Sequence, residues 1–330
     1  MTETSEISGP PRLIQTMVAG FDAITNHVWL ILFPFGLDLL IWFAPRLRIT
    51  SLMRAFLSEV AALPMDETPE LAAMLETGQQ AWMQFAEQVN LMSALRSYPV
   101  GIPGLLPAAP PVETPLGTPK ILELPTTESA VLVFGLLTFA GFLGGTLYFL
   151  AVSQAALQDE IRWCQVFAAW PRASVQVILL ALVWLGIFIA VTLPSSCVIS
   201  LAAVGGVSPG MCVSMLYGGA LLWIAFQLMF SAHGIFVEQL NVLSSLRAGM
   251  RVVNLTLPGA ALFVVAALVL SQGLDLLWRI PPADSWLTLL GLAGHAFVAT
   301  GLVASSFIYY HDTRQWIAQL TEQSRPDAIG

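Results

Sequence analysis

The chain has 330 residues, 56% of them hydrophobic and only 10% charged, against roughly 25% charged in soluble domains. That balance excludes a soluble protein of this length. The net charge of −8, with Lys and Arg scattered rather than clustered, excludes a nucleic-acid partner.

The acidic excess comes mainly from residues 59–128 and so describes one loop. Elsewhere charge is segregated from apolar sequence. Residues 173–237 hold no Asp, Glu, Lys or Arg, and further uncharged runs cover 129–158, 252–274 and 285–311. A spanning helix needs about 20 mostly apolar residues. These runs house five spans, and 28–44 makes a sixth. The expected fold class is therefore all-α, a polytopic integral membrane protein of about six transmembrane helices.

In chain order, residues 1–13 read as a disordered tail, because Gly9-Pro10-Pro11 opposes a regular helix. Glu3 and Glu6 are not the basic start of a secretory signal, so the first span is expected to stay in the mature protein. Residues 14–44 form an amphipathic lead-in followed by span one. Pro34 and Gly36 sit within that span and predict a kink there.

Residues 45–98 differ in kind. One helical stripe is Leu52, Met53, Phe56, Leu57, Val60 and Leu63; a second runs from Leu71 to Met92. Thr68-Pro69-Glu70 reads as N-cap, first helical residue and dipole-matched acid. Neither helix is apolar all round, so the pair reads as a helical hairpin outside the hydrocarbon, on the extracytoplasmic side. Residues 99–126 contain eight prolines and few charges, which predicts an extended tether over 99–128.

Residues 129–310 carry spans two to six, centred on 130–151, 173–193, 211–230, 257–277 and 286–309. Span two holds Gly141 and Gly145 as a G-x-x-x-G pair, whose small surface lets another backbone approach; packing within the bundle is expected over a homodimer seam. Cys197 and Cys212 flank one connection, so either a disulfide joins them or both are buried thiols. Residues 311–330 form a polar tail.

Orientation follows from arginine. With a cytoplasmic N-terminus, the short inner segments hold Arg12, Arg162, Arg172, Arg247, Arg251, Arg314 and Arg325. The short outer connections hold only Arg279. This is a positive-inside bias, and it predicts both termini in the cytoplasm of a cell carrying the protein in its plasma membrane.

Ionisable residues at membrane depth are site candidates. Asp38 and Asp275 stand in near-repeats, Gly36-Leu37-Asp38-Leu39-Leu40 and Gly273-Leu274-Asp275-Leu276-Leu277. Each lies toward the hairpin-side end of its span. Asp275 has Arg279 at i, i+4; Asp38 needs a partner from elsewhere. The alternatives are interfacial anchoring or a polar pocket of Asp38, His295 and Asp275. Arg247 and Arg251, one turn apart on an amphipathic helix, suit anionic lipid headgroups. No H-E-x-x-H, G-x-S-x-G or glycine-rich phosphate loop is present. The reading is thus non-enzymatic, with no cofactor and no metal.

Tyr310-x-Asp312-x-Arg314, and Val237-Glu238 followed by Ser245-x-Arg247-Ala248 and Arg251, resemble a broad group of bacterial and archaeal multi-span proteins. That group includes the membrane domain attached to some glycerophosphodiester phosphodiesterases. The resemblance covers about residues 130–315, without the catalytic domain. It implies a membrane module and no hydrolase activity. Two functions follow as expectations. The first is a module binding lipid or a protein partner through residues 50–98. The second is a small transporter or permease-like subunit using an Asp38/His295 layer.

Overall fold

The computed structural model describes residues 11–62, 69–106, 113–158, 160–204 and 207–323. Most of the expected N-terminal tail, residues 324–330 of the C-terminal tail and the cap Thr68 lie outside them, whereas 311–323 of that tail are helical.

The protein is an all-α polytopic membrane protein. Five helical units are long and apolar enough to cross a membrane. They are α5 (Thr127–Leu157), α6 (Trp163–Val204), α7 (Val207–Leu228) continued by α8 (His233–Val237), α10 (Leu257–Trp278) and α11 (Thr288–Gln323). A bent pair of helices raises the number to six if it is counted as one span. α1 (Leu13–Asn26) is followed by a 3-10 turn at Val28–Ile31 and by α2 (Leu32–Phe43), and the two halves are bent by 93°. The bend falls at His27, not at Pro34. Pro34 instead occupies the first turn of α2, where its missing N–H has no intrahelical acceptor to lose. The expected lead-in is thus a full helix set at 93° to α2. It packs along α11, with Gly20 against Ser305 and the Phe21 ring over Gly301.

The membrane helices overrun the expected spans. α6 continues through Pro171 and Pro194 to Val204, so most of the connection expected at 194–210 is helix. Thr192 and Tyr217 hydroxyls, 2.9 Å apart, tie α6 to α7. Cys164, Cys197 and Cys212 are free and exposed. Neither the disulfide nor the buried thiols of the sequence reading occurs.

On one side of the bundle, here the hairpin face, α3 (Thr50–Ala61) packs on α4 (Pro69–Gln88). β1 (Arg46–Arg48) pairs in parallel with β2 (Ile121–Glu123) and closes the base of this insertion. The Asn90 side chain accepts hydrogen bonds from the Leu47 and Met92 amides at 3.0 and 3.2 Å, which fixes the end of the hairpin to β1. On the opposite face, α9 (Val242–Leu255) lies between α8 and α10 with Ser245, Ala248 and Val252 buried.

The largest departure from expectation is the segment after the hairpin. Residues 91–98, expected to end the hairpin, and 99–106, expected to begin the tether, instead form one inserted segment; 107–112 of the tether lie outside the described residues. Val100, Leu105 and Leu106 are buried, and the segment dips from the hairpin face into the bundle and returns. Its wall is the G-x-x-x-G surface of α5. A Cβ on Gly141 would lie 2.4 Å from the Leu95 carbonyl oxygen, and one on Gly145 3.0 Å from that of Val100. These glycines lie about 20–27 Å along α5 from Thr127 at 1.5 Å per residue. The close approach expected of them is therefore made by re-entrant backbone rather than by another span. Proline rules out a helix here, but not burial.

Candidate functional site

Non-helical backbone inside a membrane bundle needs its polar groups satisfied by protein. Asp38, Arg279 and the segment's own Arg96 do this for residues 96–106. Asp38 projects from α2 and is fully buried. One of its carboxylate oxygens accepts from the Arg96 guanidinium, and the other accepts from the Leu105 amide at 2.7 Å. Arg96 also donates to the Leu106 carbonyl. Arg279, just beyond α10, donates to the Leu105 carbonyl at 3.0 Å. The segment is thus held from both sides of one carboxylate, and its own arginine supplies the countercharge.

The second carboxylate has a different first partner from the one its sequence neighbours indicate. Asp275 Oδ1 lies 2.7 Å from His295 Nδ1, whereas Arg279 stands 4.0 Å from Oδ2. The contact with α11 is permitted by Gly291, where a Cβ would lie 2.3 Å from the Trp278 carbonyl oxygen. With backbones that close, His295 one turn further along α11 reaches Asp275 one turn back along α10. This contact occupies Nδ1 and leaves Nε2 as the ring's other nitrogen. That Nε2 is buried without a partner among the described residues, as is Arg96 Nε. Arg279 links the two carboxylates, donating to the Leu105 carbonyl at 3.0 Å while standing 4.0 Å from Asp275.

The predicted Asp38, Asp275 and His295 therefore come together in one layer. Around it pack Trp42, Leu105, Leu106 and Leu292, with Leu39, Phe43 and Trp278 partly buried against them. Arg96 was missed by sequence reasoning. Its signal was isolation, since it is the only Asp, Glu, Lys or Arg between Glu87 and Glu113.

Arg247 and Arg251 lie elsewhere, exposed on α9 on the opposite face. Arg251 lines a cavity of about 500 Å³ with Glu238 and Arg314. Arg314 clamps Glu238 through two bonds of 2.8 and 2.9 Å, and the Tyr310 hydroxyl donates to the same carboxylate at 3.0 Å. Hydrogen bonding from Arg314 holds the Glu238 carboxyl below its ordinary value. Among the described residues no group of three or more His, Cys, Asp or Glu side chains could hold a metal ion.

Comparison with protein-family models, curated proteins and solved structures finds no match for the chain.

Proposed function

We propose that the protein is a non-enzymatic, multi-pass module of the plasma membrane that engages a protein partner or lipid through the α3–α4 hairpin. The observation that carries this reading is the occupancy of Asp38. Both of its oxygens are taken, by Arg96 and by the Leu105 amide, so the charged layer is spent on holding the re-entrant segment. The hairpin, by contrast, presents Phe56, Trp82 and Phe85, each more than half exposed. Such aromatics are what a docking surface uses. The arginine bias puts both termini in the cytoplasm and the hairpin outside. The resemblance to phosphodiesterase-linked membrane domains supports a module rather than a chemistry.

Native pull-down from membranes, with co-purifying proteins and lipids identified, tests this. Replacing residues 50–88 by a short linker is expected to abolish recovery while the bundle keeps its melting temperature. Unchanged recovery contradicts the proposal. Loss of a lipid but of no protein assigns the hairpin to the membrane surface.

A second reading, a small transporter or permease-like subunit, draws on the buried, unpartnered His295 Nε2 in the layer that holds Asp38. It predicts that Asp38→Asn abolishes uptake of a substrate by proteoliposomes at unchanged protein content.

A further inference from the structure

On the face opposite the hairpin, between the end of α5, the start of α6 and the α8–α9 connection, lies a cavity of about 600 Å³. Its polar lining is Gln154, Gln158, Gln165, Arg172, Gln176 and Gln239, with Ser153 beside them and no carboxylate among the described residues. Phe236 and Ala169 belong to its apolar floor.

The orientation of two of the amides is set by backbone. Gln154 Oε1 accepts from the Arg162 amide and Gln176 Oε1 accepts from the Val242 amide, both at 2.9 Å. Flipping either side chain would set an NH2 against an N–H, so the oxygens are committed. The two Nε2 groups are left as donors with no acceptor among the described residues. Arg172 spends one nitrogen on the Gln239 carbonyl at 2.9 Å, and a guanidinium has further donors to offer. Gln239 adopts a positive φ of 51°, in the turn that presents this carbonyl. The cavity is therefore donor-rich and carries one fixed positive charge. The exposed ring of Trp163 stands on the first turn of α6, a residue type that marks a membrane–water interface.

We propose that this cavity is a binding site for a phosphate-bearing polar group, with Arg172 as charge partner and the Gln154 and Gln176 amides as orienting donors. An anionic phospholipid headgroup and free phosphate share that chemistry. The site is separate from the hairpin and from Arg247 and Arg251.

The test uses the full chain in nanodiscs and two variants. Gln154→Glu/Gln176→Glu keeps an oxygen for each backbone amide but replaces both donors by carboxylates. Arg172→Met removes the charge and only one exposed hydrogen bond. Retention of phosphatidylglycerol over phosphatidylcholine is read by native mass spectrometry, and binding of inorganic phosphate by calorimetry. Wild type is expected to prefer phosphatidylglycerol or to bind phosphate, and each variant to weaken that binding at least about tenfold. Loss confined to the phospholipid assigns a headgroup site; loss confined to phosphate assigns a free anion. Equal retention of both lipids with no phosphate binding overturns the proposal. So does wild-type binding by the Arg172→Met variant at an unchanged melting temperature.

Discussion

Arg96 donates to the carboxylate of Asp38, 58 residues earlier in the chain, and this pair joins a non-helical segment to α2. Asp38 is fully buried, and the Arg96 side chain is 17% exposed. Breaking a buried pair by removing one partner leaves the other charge uncompensated, at about 3–5 kcal/mol. Asp38→Ala and Arg96→Ala should each cost about that much. The double variant Asp38→Ala/Arg96→Ala should cost clearly less than the two single losses combined. Thermal unfolding of the four proteins in one detergent supplies the cycle.

The re-entrant segment also depends on a surface without side chains. Gly141→Ala puts a Cβ 2.4 Å from the Leu95 carbonyl oxygen and should destabilise by about 1–3 kcal/mol. Gly135 on the same helix faces open space, so Gly135→Ala should be neutral or mildly stabilising. Equal melting temperatures for the two variants would contradict the packing described for residues 91–106.

On the opposite face the prediction concerns pH. Hydrogen bonding from Arg314 lowers the folded-state pKa of Glu238. A depressed carboxylate contributes stability that is present above its unfolded value, about 4.3, and is lost as pH falls through the folded value. Glu238→Gln should therefore melt below wild type at neutral pH, and the gap should narrow on acidification below about pH 4. A gap constant over that range would contradict the pairing.

Cysteine chemistry offers a direct check on α6 and α7. Denaturation without reductant followed by alkylation should add three labels, one each at Cys164, Cys197 and Cys212, since all are free. A product with one label would report a Cys197–Cys212 disulfide or another pairing.

Uncharged runs marked the spans, because hydrocarbon excludes charge whatever the helix does next. They did not mark the ends, since α11 runs on to Gln323 through sequence too polar for the bilayer. Asp38 was legible as a carboxylate in need of a distant partner. Arg96 was not legible as that partner, because Pro99 and Pro103 suggested an exposed tether. Proline forbids helix, while exposure depends on whether the backbone finds partners. Here Asp38, Arg96 and Arg279 supply them. The Asp275–His295 contact is set by the closeness of Gly291 to Trp278, and the i, i+4 arginine concealed it.

The central claim is that residues 96–106 are re-entrant and held by Asp38. Hydrogen exchange with mass spectrometry in nanodiscs addresses it most directly. In the wild type, the amides of 96–106, Leu105 above all, should exchange as slowly as those of the bundle helices and far more slowly than those of α3. Asp38→Ala should deprotect that segment selectively. Exchange of 96–106 at the rate of an exposed loop in the wild type, or no change in the variant, would contradict the account.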